Sequence, residues 1–249
     1  MENSKKLKFG LLGKQIDYSF SRGYFAEKFK RENLLHCQYD NYDCDSVEEV
    51  HKTILRNDIK GLNVTIPYKE EVAEVLDELS PQAAQIGAVN TIVFTQDGKR
   101  IGHNTDAYGF EKSLFDQWQG KAEKALILGT GGASKAVEYV LKQHGISPQF
   151  VSRKSSEKSI SYDELSADII AQHHLIVNCT PLGTFPKVEN APEINYNALT
   201  PKHFLFDLIY NPEETRFLTL GKAQGAGIAN GSKMLIHQAE AAWTLWMAQ

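Results

Sequence analysis

One stretch of this 249-residue sequence combines glycines, small residues and a basic pair at spacings that suit a phosphate-bearing ligand. Gly129-Thr130-Gly131-Gly132-Ala133-Ser134 follows the apolar run KALIL and precedes the helical pattern AVEYVLKQ. In such a turn, Gly129 allows the sharp bend and Gly131 lets the backbone approach a pyrophosphate. Ala133 and Ser134 are small enough for helix and strand to pack closely. The helix start adds amide donors and the positive end of its dipole. A lone glycine pattern would be weak evidence, and the alternative is a structural strand-to-helix turn that holds no nucleotide; the strand before and the helix after favour the ligand. The end of the next strand, about 20 residues on, is where an Asp or Glu would bind a free ribose 2′-hydroxyl. Here the sequence reads Ser152-Arg153-Lys154. A guanidinium beside an ammonium suits a 2′-phosphate, so the pair of features favours NADP over NAD.

A second set of polar residues precedes it. Asn63, Thr65 and Lys69 lie in NVTIPYK, where a strand is predicted to run to Pro67 and a helix to follow. That is the carboxyl edge of a parallel sheet, the usual ligand side of α/β folds. Asn63 and Thr65, two apart, would share a strand face. A single lysine at a helix start is ordinarily solvated and mildly opposed by the dipole, so Lys69 gains interest only from its company. That company is Ser19 and Ser21 in YSFS, Asn90 in GAVNT, and Asn104-Thr105-Asp106. A carboxylate such as Asp106 beside an ammonium would favour its charged form against desolvation.

The elements that must position these residues alternate from the start. LKFGLLG, CQYDNYD and KGLNVTIP read as strands, and SRGYFAEKFKRENL, VEEVHKTILRN and KEEVAEVLDEL as helices, a βαβαβα run expected to give a largely parallel sheet. Two β-prone runs around Asp97-Gly98 then predict a hairpin. After a helical patch from Tyr108 to Trp118 the alternation restarts. Strands are expected at KALILG, PQFVSR, HLIVNCT, HFLFDLIY and GIANG, with helices after the glycine turn and over PEETRFLTLGKAQG. Near-helical spacing of Met234, Leu235, Ala239, Ala242, Trp243 and Trp246 predicts an amphipathic C-terminal helix. The reading is an α/β chain of two lobes, the second of Rossmann type.

Composition limits the rest. With 42% hydrophobic and 23% charged residues the chain is an ordinary globular one. Its 27 basic and 31 acidic residues give −4, so no global positive field recruits nucleic acid or an anionic membrane. Ala239 to Ala248, the most apolar stretch near the C-terminus, is shorter than the roughly 20 residues of a membrane span. The N-terminal residues lack a signal-peptide pattern. Cys37, Cys44 and Cys179, odd in number and far apart, suit a reducing compartment, and cytoplasmic residence is expected. The eight histidines show no ligand-like spacing, and no metal site is expected.

Together these segments resemble the shikimate dehydrogenase family. Ser19 and Ser21 meet its Ser-x-Ser, Asn63 to Lys69 its N-V-T-x-P-x-K, and the segments around Asn90 and Asp106 its G-A-V-N-T and N-T-D. Gly129 to Ala133 meet its G-x-G-G-A. NCTPLG from Asn178, DLIYNPEET from Asp207 and the stretch from Asn230 to Gln238 also fit, in colinear order. The sequence departs at Tyr18, Arg22 and Phe25-Ala26, where the family has His, Pro and His-Asn, and at Lys154, where it has Thr.

The resemblance implies NADPH-dependent, reversible reduction of 3-dehydroshikimate to shikimate, on the route to chorismate and the aromatic amino acids. Lys69 would exchange the proton and Asp106 would pair with it. Ser19, Ser21, Thr65, Asn90, Asp106, Tyr210 and Gln238 would bind substrate. Gly129, Thr130, Gly131, Gly132, Ala133, Ser152, Arg153, Lys154, Leu208 and Gly231 would hold NADP. It further implies a discontinuous substrate domain, residues 1–105 and 232–249, around a cofactor domain of residues 106–231, in a monomer or homodimer. A quinate/shikimate dehydrogenase of broader specificity, or an NADP-dependent sensor without catalysis, would share much of this pattern.

Overall fold

The computed structural model describes residues 6–17, 19–56 and 58–249; Tyr18 lies outside the described residues. The chain divides into two units. One comprises the residues up to Thr105 together with Ala239–Gln249, and the other Asp106–Gln238.

The first unit is built on strands β1 (Leu7–Gly13), β2 (Cys37–Asp43), β3 (Ile59–Val64), β4 (Glu78–Leu79), β5 (Thr91–Phe94) and β6 (Arg100–His103), in the order β2-β1-β3-β5-β6-β4. β1 runs parallel to β2 and β3, and β4 parallel to β6, whereas β5 is antiparallel to both neighbours. Helices α1 (Phe20–Arg31), α2 (Val47–Ile54) and α3 (Pro81–Ile86) start at serines. Ser19, Ser46 and Ser80 each accept a backbone N–H of the first turn. α3 adds Pro81 at its first position and ends on Gly87 at φ 71°, the left-handed conformation that glycine adopts without strain.

The sheet carries an apolar layer on each face. Leu12, Val50, Ile54, Leu62, Val64, Val72 and Ile92 form one, and Phe9, Leu11, Phe25, Phe29, Val93 and Trp246 the other.

Two expectations need correction here. KEEVAEVLDEL is not a helix: only a 3-10 turn forms, Glu71–Val75, and the acidic end becomes β4. Asp77 N–H donates to the Arg100 carbonyl at 3.1 Å, Arg100 N–H donates in return to the Asp77 carboxylate at 2.7 Å, and Lys99 pairs with Glu78 at 2.6 Å. Pairing with β6 thus overrides local helix propensity. β3 also ends at Val64 rather than at Pro67, and Thr65 lies just beyond it.

The second unit opens with helix α4, which spans Thr105–Gln117 and so begins at the unit boundary. Its strands are β7 (Lys124–Leu128), β8 (Ser147–Ser152), β9 (Ser159–Ser161), β10 (Leu175–Asn178), β11 (Phe204–Asp207) and β12 (Gly227–Ala229). All pair in parallel, in the order β12-β11-β10-β7-β8-β9. Numbered within the unit this is 3-2-1-4-5-6 read from the opposite edge, the doubly wound order whose reversal falls between β7 and β10. Ala125–Leu128 and Leu175–Val177 are fully buried, as central strands covered on both faces must be.

Helices α5 (Gly132–Gln143), α6 (Ala167–Gln172) and α7 (Arg216–Ala223) connect the strands. β9 and α6 have no counterpart in the sequence reading; three and six residues long, they are too short for periodicity to register.

The last helix, α8 (Ser232–Met247), contributes to both units, its residues from Ala239 belonging to the first. There Trp246 stacks on Phe9 at 5.1 Å, its indole N–H bonds the Ile92 carbonyl at 3.0 Å, and its ring lies on Gly61. Glu240 accepts from buried Lys28 at 2.7 Å and from the Tyr24 hydroxyl, which ties α8 to α1.

Candidate active site

In the first unit the motif segments interlock. The backbone of NVTIPYK holds GAVNT at two points: Val64 N–H to the Asn90 carbonyl at 2.8 Å, and Val89 N–H to the Lys69 carbonyl at 2.7 Å. GAVNT in turn holds the segment leading to Asp106. Asn104 donates to the Ala88 carbonyl at 2.9 Å, and Asn90 N–H to the His103 carbonyl at 3.1 Å. The Asn90 side chain accepts from Thr105 N–H at 2.6 Å and donates to the Thr105 hydroxyl at 3.0 Å. Asn90 therefore fixes the start of α4, one residue before Asp106. Asp106 is 7% exposed in the first turn of that helix. Burial of His103 on this ladder lowers its pKa and favours the neutral ring.

Lys69 is half-buried in the turn after β3. No α-helix begins there, so the dipole expected to oppose its charge is absent. Tyr68 beside it is buried, with its hydroxyl on the Cys44 carbonyl at 2.7 Å, and anchors the turn in the core. Thr65 is half-exposed, and a methyl placed at Gly13 would come within 2.5 Å of its side chain. Asn63 is committed to the interior: it accepts the Tyr39 hydroxyl at 2.8 Å and donates to Thr91 at 3.3 Å.

Ser19 caps α1 by accepting Ser21 N–H at 3.2 Å, which leaves its own hydroxyl proton as a donor. Two hydroxyls at a helix N-terminus make a neutral receptor for a carboxylate. Burial raises the pKa of the Tyr39 phenol, with the Ser21 side chain opposing. Phe25 is wholly buried, stacked on Tyr39 at 4.4 Å, and so belongs to the aromatic core rather than to the surface beside the serines. Arg22 and Ala26 are exposed.

In the second unit the glycine turn closes β7 at the switch point of the sheet. Gly129 adopts φ 100°, and a methyl there would lie 3.0 Å from the Thr180 side chain. Gly131 has only open space where a methyl would be, so its bareness serves no packing contact within the protein. Thr130 is exposed, and Gly132 and Ala133 open α5, whose cap position at Gly131 has no side-chain oxygen to compete with an anion. Ser134, in place of a third glycine, is buried with its hydroxyl folded back onto the Gly131 carbonyl at 2.6 Å.

Gly129 N–H bonds the Val151 carbonyl at 2.8 Å and so joins the turn to the end of β8. There Ser152 bonds the Lys154 carbonyl and Ser159, while Arg153 and Lys154 are exposed. These residues fit a nucleotide with a 2′-phosphate: a cleared backbone, a helix start, and cations at the adjacent strand end.

Further along the same edge, a methyl on Gly231 would meet the Leu208 carbonyl at 2.1 Å, so a glycine is required by the backbone there. Tyr210 is half-exposed and Gln238 is buried, donating to the Leu235 carbonyl at 2.8 Å. Gly109 lets α4 touch α8: a methyl on it would lie 2.6 Å from the Met234 carbonyl and 3.0 Å from Gln238 Cβ. Asp106, three residues earlier, shares that face of α4. Gly13, Tyr39 and Gly109 went unnoticed in the sequence reading; only the helix-interior glycine carried a local signal.

Among the described residues no three of His, Cys, Asp and Glu gather as a metal would require, and no helix is long and apolar enough to cross a membrane.

Residues 11–92 match the family model described as the shikimate dehydrogenase substrate binding domain. The NADP(+) shikimate dehydrogenase of Desulforamulus reducens is 34% identical over 98% of this chain and 91% of its own. Among solved structures, shikimate 5-dehydrogenase from Thermus thermophilus, in complex with NADP(H) and shikimate, aligns with a TM-score of 0.85 at 30% identity, covering 98% of this chain and 94% of that one. Quinate dehydrogenase from Corynebacterium glutamicum, in complex with NAD, aligns with a TM-score of 0.86 at 28% identity, covering 98% and 94%.

Proposed function

We infer the roles of individual residues from the premise that this chain belongs to the shikimate dehydrogenase family. The reaction is the reversible reduction of 3-dehydroshikimate to shikimate with NADPH. The observation that carries the assignment of roles is the interlocked set of NVTIPYK, GAVNT and NTD backbones, which fixes the positions of both Lys69 and Asp106.

In the first unit, Ser19 and Ser21 bind the substrate carboxylate from the helix start, and Thr65 and Asn90 contact ring oxygens. Lys69 donates a proton to the ketone oxygen in reduction and recovers it in oxidation. In the second unit, Asp106 is the lysine's acidic partner in the reaction and accepts a substrate hydroxyl, and Tyr210 and Gln238 complete the polar contacts. NADPH, when bound, supplies the hydride. Gly129 to Ala133 cradle its pyrophosphate, Ser152, Arg153 and Lys154 its 2′-phosphate, and Leu208 and Gly231 flank the nicotinamide. The absence of an acid at the end of β8 supports NADP over NAD. Three free cysteines are in keeping with a cytoplasmic enzyme.

The test is absorbance at the reduced-nicotinamide band with shikimate and NADP, beside parallel mixtures with NAD and with quinate. Shikimate with NADP should react fastest. No change with any mixture would instead favour a sensor without catalysis. Lys69→Ala should lower kcat by at least about 100-fold with a smaller change in KM; near-normal turnover in a folded variant would remove the lysine from the mechanism.

A further inference from the structure

Asp207 ends β11 fully buried, and its three hydrogen-bond partners are all neutral donors. Its Oδ1 accepts from the Asn178 amide at 3.0 Å and from Ile209 N–H at 3.0 Å, and its Oδ2 accepts from the Thr215 hydroxyl at 2.6 Å. Each partner leads elsewhere. Asn178 Oδ1 accepts from the Thr180 backbone at 3.0 Å and the Thr180 hydroxyl at 2.7 Å, and the Thr180 methyl is the group that abuts Gly129 of the glycine turn. Ile209 lies between Leu208 and Tyr210. Thr215 caps α7 through Leu218 N–H.

A buried carboxylate without a cation is costly, and an apolar side chain would serve packing better. What the carboxylate does provide is a single point at which donors from the end of β10 and from the segment after β11 converge, with the glycine turn reached through Asn178 and Thr180.

We propose that Asp207 is a positioning residue for both ligands, setting the 208–210 backbone and, through Asn178 and Thr180, the glycine turn. It touches neither ligand. The proposal rests on the reading above that Leu208, Tyr210 and the glycine turn make the contacts. An asparagine at 207 would preserve the arrangement, since its oxygen can accept at Oδ1 and its amide can donate to Thr215, whose hydroxyl can turn to accept.

The experiment compares KM for NADP and for shikimate, kcat, and NADP binding by quenching of protein fluorescence, in wild type, Asp207→Ala, Asp207→Asn, Thr215→Val and Arg153→Ala. Asp207→Ala should raise both KM values by at least about fivefold, more than it lowers kcat, as expected when a hydrogen-bonded charged group that orders a binding loop is lost. Asp207→Asn should stay within about threefold of wild type. Thr215→Val, which removes one donor and keeps the shape, should move both KM values in the same direction by less, and it decides the matter if Asp207→Ala does not fold. A merely structural role would reduce the yield of folded enzyme and leave KM unchanged in what remains; wild-type KM values in folded Asp207→Ala, or in Thr215→Val, would overturn the proposal. If NADP binding is weakened by Arg153→Ala but untouched at 207 and 215, the positioning role alone falls. If wild type does not bind NADP, or Arg153→Ala binds it normally, the assignment of the cofactor residues has failed as well.

Discussion

Asp207 also shows how a single residue can give a protein a pH signature. Burial pushes its carboxyl up from 3.8 to about 6, against the pull of its three donors. The sign follows from proton counting. Between about pH 4 and 6 the folded chain holds a proton that the unfolded chain has released, so this residue's contribution to stability falls as pH rises through that window and is level above it. At roughly 1.4 kcal/mol for each pH unit between the folded and unfolded titrations, the fall is at most about 3 kcal/mol. Asp207→Asn should remove it, so the variant's stability relative to wild type should increase from pH 4 to pH 7. Urea unfolding at pH 4, 5.5 and 7 measures this, and a constant difference across the three would show that the carboxyl is not the source. Nothing in the string DLIYNPEET announces such burial. Lys69, Asp106 and Arg153 stand out as candidates because their neighbours in sequence are distinctive. Gly13, Tyr39 and Gly109 were not, because what makes them matter is a contact with Thr65, Asn63 or Gln238, far away in sequence.

At the scale of elements, the strands and long helices were readable wherever a strong period met a clear turn signal. The glycine turn and α5, the Asp97-Gly98 hairpin and α8 are examples, and Gly98 takes φ 88° as such a turn requires. The failure at 71–79 has a physical cause. Glu, Ala and Leu favour a helix locally, but Asp77 and Glu78 find Arg100 and Lys99 on and beside β6, and strand pairing wins. Close approaches between elements were equally unreadable. In β3, a methyl on Gly61 would stand 2.3 Å from the Trp246 ring. Gly61→Ala must displace the indole and stretch its bond to the Ile92 carbonyl. The expected cost is about 1 to 3 kcal/mol, the usual range for an overfilled core, measurable as a lower urea midpoint with an unchanged slope. A wild-type midpoint would mean that the indole can move aside freely.

For the whole molecule, net charge −4 works against a polyanionic nucleotide, so attraction must come from local groups. Arg153 and Lys154 are the cations at the end of β8, exposed and therefore screened by salt. Arg153→Ala should raise KM for NADP by about 10- to 100-fold, the worth of one or two charge-assisted hydrogen bonds, and leave KM for NAD nearly unchanged. Equal losses for both cofactors would place the arginine on the adenine or pyrophosphate instead. The quinate dehydrogenase alignment shows why side chains matter: the fold is held in common by a protein seen with NAD, so the fold by itself does not choose the cofactor.

The aromatic layer over β1 carries a consequence for the order of synthesis. Phe9 leaves the ribosome long before Trp243 and Trp246, which cover it. The core that holds Phe9, Phe25 and Phe29 cannot close until α8 has been made, whereas Asp106–Gln238 is made without interruption and can fold as it emerges. Until then the nascent chain carries an unfinished aromatic surface over β1, and the turns of α8 from Ala239 on seal it.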